Sequence, residues 1–432
     1  MAIKTPQGTV VDVPRGTRDF GPREAIHLKE IISVIEEVFK RHGFAPLLTP
    51  AIENSETLNA KAYGEESSKE MYLIEGQNMA LRFDFTVPLA RYMAMNKDIP
   101  LPFKRYQIGN AWRKDEPQRM RYREFAQADI DIIGSSDITS DAECISTTTD
   151  AFAALGIKNC AILVNSRPML DLILAYFNIP AENHGAVIRI LDKIAKVSIS
   201  ETINQLKVAG MQENDAQIML SFISEKMTNE DKLKKLEVSV PNSKAETERI
   251  RSLINTLQKF GVKDEINIDL SLARGLDYYT GLVWEVVIRT TEGRLPTLAS
   301  GGRYDNLIGI YSKSRSPAVG SSIGISRVFE VMGMENGPKT YARVFIAQVG
   351  QENLDYSIEV ANKMRQAGIY VDLNVTEKGI SKQLEYSNTI GISSVAIIGS
   401  KERAMGKIRL KNMQAGTEEL LDIDAAIAAL KK

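Results

Sequence analysis

Four arginines stand beside glycines or aromatic residues along the chain, and together they indicate a site for a strongly anionic ligand. Arg113 follows a predicted strand, Arg274 lies in "LARGLDYYTG", Arg303 in "GGRYDNL" and Arg327 in "IGISRVF". Guanidinium groups match phosphate oxygens and stabilise charge that builds up in phosphoryl or nucleotidyl transfer. Taken singly, an arginine is most often a solvated surface residue. Several that converge on one site would suit a triphosphate, and Arg327 stands out because an apolar run surrounds it.

Residues 271–281, "SLARGLDYYTG", follow a run that alternates like a strand over 266–272. The stretch combines Arg274 with the adjacent pair Tyr278 and Tyr279. It is either a β-turn with an exposed charge or an anion-binding residue at the edge of a ligand site. The stretch alone leaves both interpretations open.

The segment "LRFDFTVPLARY" (81–92) brings an acid and a hydroxyl together. Asp84 and Thr86 share one parity of a predicted extended segment that Pro88 ends. Such a pair could bind an ammonium group, or it could be an ordinary surface pair.

The predicted strand "REFAQADIDII" (123–133) has apolar residues on one face and Gln127, Asp129 and Asp131 on the other. A polar face of this kind either meets solvent or lines a ligand site. The loop before it carries a local basic patch on a neutral chain, which could grip a nucleic-acid backbone or simply be solvated. The patch consists of Lys114, Arg119, Arg121 and Arg123.

Several functional classes are disfavoured. The net charge of −1 over 432 residues means that a polyanion must be met by a local patch. Two cysteines and three histidines stand in no metal-ligand or triad spacing, so we expect neither a metal site nor histidine-dependent nucleophilic catalysis. No GxxxxGK[ST] or GxGxxG pattern occurs. Neither a membrane-length apolar run nor a signal-peptide pattern is found, and a soluble cytoplasmic protein without membrane contact is expected.

The elements that would position these residues can be read from hydrophobic periodicity. Helices are predicted from Pro22 to Gly43 and over 136–155, and 167–260 forms a helical, charged insertion between sheet-rich parts. Glycine-rich 299–307 is predicted as a turn. The predicted strands are 103–113, 123–133, 160–166, 266–272 and 282–289.

A second boundary falls near 333–342, which is rich in glycine, proline and asparagine. Beyond it, three short apolar strands alternate with helices, which is typical of a small α/β domain with βαβ crossovers.

The motifs occur in an order that resembles the histidyl-tRNA synthetase family, a class II aminoacyl-tRNA synthetase family, over essentially the whole chain. "VPRGTRDFGP" with "FAPLLTPAIENSETL" is similar to motif 1, "YQIGNAWRKDEPQRMRYREFAQADIDIIG" to motif 2 and "AVGSSIGISRVF" to motif 3. "LARGLDYYTG" and "ASGGRYDNL" resemble the two signatures specific to this family. The form "LRFDFTVPLARYMAMN" is more similar to archaeal and eukaryotic members than to bacterial ones.

The resemblance implies an α+β catalytic domain with a six- or seven-stranded antiparallel sheet, a helical insertion and a small α/β anticodon-binding domain. The expected bounds are 1–166 with 262–335 for the catalytic domain, 167–261 for the insertion and 340–432 for the anticodon-binding domain. It also implies a cytoplasmic homodimer that activates L-histidine with ATP and Mg²⁺ and transfers it to tRNA(His). The alternative is the non-aminoacylating regulatory subunit of ATP phosphoribosyltransferase, which typically lacks the C-terminal domain.

The resemblance further implies site roles. Arg113, Arg274 and Arg327 would be the catalytic residues, and ATP would also meet Asp115 or Glu116, with no direct metal-binding motif on the protein. Gln118 and Arg121 would contact the tRNA acceptor end. Histidine would be bound by Asp84, Thr86, Arg113, Gln127, Asp131, Arg274, Tyr278, Tyr279 and Tyr304.

Overall fold

The computed structural model describes most of the chain and divides it into two compact units. The described residues are 3–4, 10–59, 71–118, 120–194, 197–273, 278–290, 293–312, 315–333 and 337–431. The large unit comprises residues 1–19 and 30–333, and the small unit comprises residues 20–29 and 334–432. None of the described helices combines the length and the apolar character needed to span a membrane.

The large unit is built on an eight-stranded sheet among the described residues, one or two strands wider than expected. The described strands of this unit are β1 (Ile3–Lys4), β2 (Val10–Val11), β3 (Ala45–Pro46), β4 (Ile52–Asn54), β5 (Met79–Leu81), β6 (Phe103–Trp112), β7 (Glu124–Ile133), β8 (Cys160–Ser166), β9 (Glu265–Ile268), β10 (Leu282–Thr290), β11 (Gly293–Arg303) and β12 (Ala318–Gly324). The eight-stranded sheet has the order β3-β6-β7-β12-β11-β10-β8-β9; its end pairs β3/β6 and β8/β9 are parallel and the others antiparallel. The pairs β1/β2 and β4/β5 form two separate two-stranded sheets.

Helices cover this sheet and fill the 167–260 region, as the periodicity predicts. Along the chain they are α1 (Pro22–Arg41), α2 (Ser55–Leu58), α3 (Thr86–Met95), α4 (Ile138–Ala154), α5 (Arg167–Tyr176), α6 (His184–Leu191), α7 (Ile199–Val208), α8 (Glu213–Ser224), α9 (Asn229–Ser239), α10 (Lys244–Lys259), α11 (Leu307–Tyr311) and α12 (Ile325–Met332). Their starts follow capping chemistry: Asp137 accepts a hydrogen bond from the Thr139 amide at 2.8 Å at the start of α4.

Helix α4 lies against the strands of the central sheet and shows why that face is closed. Its residues Cys144 and Ile145 are fully buried. The hydroxyl of Thr148 donates to Ser321 of β12 at 2.9 Å, so even the polar side chains of the interface are paired. Burial raises the pKa of the Cys144 thiol well above its ordinary value.

Two predictions about the strands of the large sheet were wrong in local detail. The strand predicted over 266–272 ends at Ile268, because the Asp269 carboxylate accepts from both the amide and the hydroxyl of Ser271 and closes a turn. The predicted turn over 299–307 is largely strand β11. Its glycine Gly301 makes room for Trp284, whose ring would lie 2.5 Å from an added Cβ.

The small unit carries its own five-stranded sheet. Its strands are β13 (Val344–Gln348), β14 (Val371–Leu373), β15 (Ser394–Ile398), β16 (Lys407–Asn412) and β17 (Glu418–Asp422), and its described helices are α13 (Leu354–Gln366), α14 (Ile380–Ile390), α15 (Ser400–Ala404) and α16 (Ile423–Lys431). In the order β14-β13-β15-β16-β17, the first three strands pair in parallel, as predicted, and the last two add an antiparallel hairpin that the sequence analysis missed. Val344, Ile346 and Ala396 are fully buried in its core.

Candidate active site

A cleft of about 570 Å³ opens over the middle of the large unit's sheet. Most of the candidate residues line it, although they are spread over more than 240 positions of the sequence. Glu116 and Gln118 do not line it, and Arg274 lies outside the described residues. The predicted residues that line it are Asp84, Thr86, Arg113, Asp115, Gln127, Arg121, Asp131, Tyr278, Tyr279, Tyr304 and Arg327.

The floor of the cleft is a buried charged cluster centred on Asp131. The Nη2 atom of Arg105, on the neighbouring strand β6, lies 2.6 Å from Asp131 Oδ2. The Tyr304 hydroxyl donates to the other Asp131 oxygen. Burial raises the pKa of the Asp131 carboxyl, while the Arg105 charge and the Tyr304 hydrogen bond oppose that rise. Asp131 is thus oriented from two sides.

Two glycines are needed for this floor to exist. Gly320 of β12 lies opposite Asp131 in the register, and an added Cβ would lie 2.1 Å from Asp131 Oδ1. Gly302 of β11 leaves space for Tyr279, whose ring would be 2.7 Å from a Cβ at that position. In both places a hydrogen atom is all that the neighbouring side chain allows.

Three tyrosines form one wall. The rings of Tyr278 and Tyr279 have centroids 4.7 Å apart, and Tyr278 meets Tyr304 edge-on at 5.8 Å. All three are at least nine-tenths buried. The wall is therefore a packed aromatic surface, and Tyr304 presents its hydroxyl to Asp131.

Asp84 and Thr86 lie together in the cleft, but the backbone is not the extended segment predicted. Helix α3 begins at Thr86, with Pro88 in its first turn, where proline is tolerated because the missing N–H has no intrahelical acceptor. Asp84 Oδ1 accepts from the Val87 amide at 3.2 Å, which fixes the carboxylate at the helix start. Across the cleft, the Gln127 amide donates to Ser322 at 2.7 Å.

Arg113 and Arg327 are held by backbone carbonyls. Arg113 Nε donates to the Phe83 carbonyl at 3.0 Å, and its guanidinium lies 5.1 Å from the Phe125 ring centroid. Arg327, in the first turn of α12, donates through Nη1 to the Thr297 carbonyl at 2.8 Å. Each guanidinium is thus oriented by the protein and lines the cleft, as an anion-binding group requires.

Arg303, the fourth arginine singled out from the sequence, does not line the cleft. It is fully buried and forms an ion pair with Asp141 of α4. Its remaining donors reach the Ser135 carbonyl at 2.8 Å, Ser140 Oγ at 3.0 Å and Asp305 at 3.2 Å. Arg303 therefore holds α4 to the sheet.

The loop between β6 and β7 is braced by its own charges. Arg121 Nε donates to Asp115 Oδ2 at 2.8 Å, and Arg123 Nε donates to the Asp115 carbonyl at 3.0 Å. Glu116 is exposed and pairs with Arg15 at 2.5 Å. Gln118 and Arg121 exchange backbone hydrogen bonds that close the tip, and Arg119 lies outside the described residues.

The sequence analysis missed several residues in the cleft or directly behind it. Arg105 is fully buried and does not itself line the cleft. Its pairing with Asp131 depends on the register of two strands, so its position in the sequence did not indicate it. Asp129 was noticed on the polar face but not assigned. Arg189, Asp192 and Lys193, at the end of α6 in the insertion, also line the cleft.

An antiparallel-rich sheet that carries a long hairpin and an arginine-bearing cleft, followed by an α/β unit, defines a class II aminoacyl-tRNA synthetase. A family model described as Histidyl-tRNA synthetase matches residues 16–328, and one described as Anticodon binding domain matches residues 343–432. The chain belongs to the histidyl-tRNA synthetase family.

Named relatives and solved structures agree with this membership. The histidine–tRNA ligase of Wolinella succinogenes is 38% identical over 96% of this chain and 97% of its own length. That of Korarchaeum cryptofilum is 36% identical over 93% and 94% of the two chains. The crystal structure of histidyl-tRNA synthetase from Nostoc sp. PCC 7120 has a TM-score of 0.83 at 30% identity, covering 97% of this chain and 98% of that one.

Proposed function

We propose that this chain is a histidine–tRNA ligase that forms histidyl-adenylate from L-histidine and ATP and transfers the histidyl group to tRNA(His). The observation that carries the proposal is the pairing, in one cleft, of a buried acidic floor with two oriented arginines. In the first step the substrate carboxylate attacks the α-phosphorus of ATP and pyrophosphate leaves. This reaction needs no protein nucleophile, so the protein contributes positioning and charge stabilisation.

At the amino-acid end, we assign the α-ammonium group to Asp84, Thr86 and Gln127. Asp131 and Tyr279 would hydrogen-bond the two imidazole nitrogens, with Tyr278 and Tyr304 completing the wall. The fixed orientation of Asp131 supports this assignment. An analogue without ring nitrogens would leave these buried groups unpaired, at a cost on the order of 1–3 kcal/mol each.

At the ATP end, Arg113 would contact the α-phosphate and the substrate carboxylate, and Arg327 the γ-phosphate and the adenine side. Arg274 would lie at the α-phosphate. Mg²⁺ would arrive with ATP and neutralise phosphate charge. Asp115 or Glu116 would approach ATP or its Mg²⁺, and Asp115 fits because its carboxylate lines the cleft, whereas Glu116 does not.

The remaining parts would serve the tRNA. Gln118 and Arg121, at the hairpin tip, would reach the acceptor end. We assign residues 1–166 and 262–335 to catalysis, 167–261 to a helical insertion and 340–432 to the anticodon. Motif 1 supports a homodimer. The C-terminal domain favours the ligase over a phosphoribosyltransferase regulatory subunit.

We further propose the archaeal and eukaryotic form of the enzyme, on the basis of the segment "LRFDFTVPLARYMAMN". The relatives described above include an archaeal and a bacterial protein at similar identity, so the segment alone supports this proposal. Comparing rates on archaeal and bacterial tRNA(His) transcripts tests it, and a clear preference for the bacterial transcript would contradict it.

Histidine-dependent exchange of pyrophosphate into ATP tests the ligase function. The purified protein should catalyse exchange with histidine and not with the other amino acids. Binding of ATP without any histidine-dependent exchange would contradict the proposal.

Arg274→Ala sharpens this test. Loss of a group that stabilises charge on phosphorus should slow adenylate formation by about 100- to 1000-fold. Histidine affinity, measured by calorimetry without ATP, should change far less. Equal losses in both quantities would mean that Arg274 only binds substrate.

A further inference from the structure

Asp129 is a carboxylate in the floor of the cleft to which the proposed mechanism gives no role. It lies on β7 between Gln127 and Asp131, on the same face of the strand, and the residue is about 5% exposed. It lines the cleft. Its Oδ1 atom has no hydrogen-bond partner among the residues that the structure describes. A buried, unpaired acceptor is costly, so a ligand that supplies the missing donor would be favoured.

The buried cations near Asp129 do not fully compensate its carboxyl. The Nη2 atom of Arg105 is already 2.6 Å from Asp131, and Arg82, which also interacts with Asp129, donates to two backbone carbonyls. Burial, together with the negative potential of Asp131 and Asp84, raises the pKa of Asp129 to about 7, although the charge of Arg105 opposes that rise. A cationic group beside Asp129 would therefore favour the ionised carboxylate.

The position of Asp129 indicates which part of the substrate it meets. Ser322 links it to Gln127: the Ser322 hydroxyl accepts from the Gln127 amide at 2.7 Å and is hydrogen-bonded to Asp129. Asp84 also acts electrostatically on Asp129. Gln127 and Asp84 are the residues assigned above to the α-ammonium group, whereas Asp131 is shared with Arg105 and Tyr304.

We propose that Asp129 is a further substrate-binding residue, whose carboxylate accepts a hydrogen bond from the α-ammonium group of the amino acid beside Asp84 and Gln127. This inference rests on the proposed histidine-binding function. An ion-assisted hydrogen bond in a buried site contributes about 1.5–3 kcal/mol, which corresponds to roughly 10- to 150-fold in affinity.

The test uses the full-length protein, the isosteric variant Asp129→Asn and two ligands. L-Histidinol keeps the ammonium and imidazole groups, and imidazolepropionate lacks the ammonium group. The variant should raise the dissociation constant of histidinol and the KM for histidine by roughly 10- to 150-fold. Its KM for ATP and its affinity for imidazolepropionate should stay within about threefold of the parent. Asp129→Glu, which retains the charge, should recover part of the histidinol affinity.

Asp98→Asn is the matched control, because Asp98 is exposed and does not line the cleft. It should change none of these constants. Thermal unfolding of each variant separates folding from binding. A purely structural Asp129 would shift the unfolding temperature and leave the ratio of the two ligand affinities unchanged, which would overturn the inference. Equal weakening of both ligands would also overturn it, because the contact would then be to the imidazole.

Two outcomes distinguish a failure of the inference from a failure of the proposed function. If the parent protein exchanges pyrophosphate with histidine but Asp129→Asn binds histidinol normally, only the inference is wrong. If the parent binds neither ligand, the proposed function is wrong and the inference is wrong with it.

Discussion

Arg105 and Arg303 are both almost fully buried in the large unit, and they differ in how well their donors are satisfied. Arg303 meets Asp141, Asp305, Ser140 and two backbone carbonyls. Arg105 meets Asp131 and the Phe85 carbonyl, and among the described residues its Nε and Nη1 atoms have no partner. The satisfied cluster lies away from the cleft, and the unsatisfied one forms its floor.

The difference shows that the role of a buried charge depends on whether its hydrogen bonds are complete. A buried ion pair whose hydrogen bonds are all made has no free donor or acceptor for a ligand. Its removal therefore lowers the free energy of unfolding rather than the affinity for a ligand. A buried charge cluster with unmet donors and acceptors costs stability until a ligand completes it, and such strain is characteristic of functional sites.

The largest effect expected from this comparison is on folding. Arg303→Met leaves the Asp141 carboxylate buried without its cation, so we expect a loss of about 3–5 kcal/mol in the free energy of unfolding. Urea titration measures it. The KM for histidine of the remaining folded protein should be unchanged, since Arg303 does not line the cleft. A large change in the KM for histidine would contradict the distinction between Arg303 and Arg105.

Arg105→Met should give a mixed result. Stability should fall by a smaller amount, about 2–3 kcal/mol, because two donor atoms of Arg105 already lack partners among the described residues and because the buried Asp131 carboxyl, whose pKa is already raised by burial, can take up a proton. The KM for histidine should rise by roughly 10- to 100-fold because Asp131 loses its orienting cation. Urea titration and steady-state exchange kinetics report the two quantities. A loss of stability with no change in KM would place Arg105 in the same class as Arg303.

The smallest effect is a dependence of stability on pH. Folded Asp129 keeps its proton up to about pH 7, whereas its ordinary pKa is 3.8. The folded state therefore binds more protons than the unfolded state between these values, and stability falls as pH rises from about 4 to 7. Asp129→Asn should remove a decline on the order of 2 kcal/mol between pH 5 and 7. Identical pH profiles for the unliganded parent and variant would contradict the raised pKa.

Much of the fold follows from periodicity, because helices α4, α13 and α14 and the β6–β7 hairpin are local patterns of apolar spacing. The errors arose where a distant partner decides the structure. Gly301 predicts a turn in the sequence, but in the structure it lies in β11, where the Trp284 ring occupies the space beside it. Pro88 predicts the end of an extended segment, but it lies in the first turn of α3, where the Asp84 carboxylate accepts from the Val87 amide.

The candidate residues of the site were found mainly through ordered motifs. The apolar run around Arg327 singled it out in the sequence, but Arg303 was still grouped with it as a possible anion-binding residue, and only tertiary contacts show that Arg303 is saturated. Arg105 was missed for the same reason. Its partner lies 26 positions away and is brought opposite it by the strand register.

The buried thiol of Cys144 can report how often the structure behind the cleft opens. It is fully buried between α4 and the strand that carries Gly320, with Sγ 4.0 Å from the Val319 carbonyl. A thiol reagent can reach it only when α4 lifts from the sheet, so the rate of labelling counts those openings. Cys160, the other cysteine, is buried at the start of β8 and counts openings of a different strand. Comparing the labelling rates of Cys144 and Cys160 with and without substrate would show whether ligand binding slows the opening of α4, the opening of β8 or both.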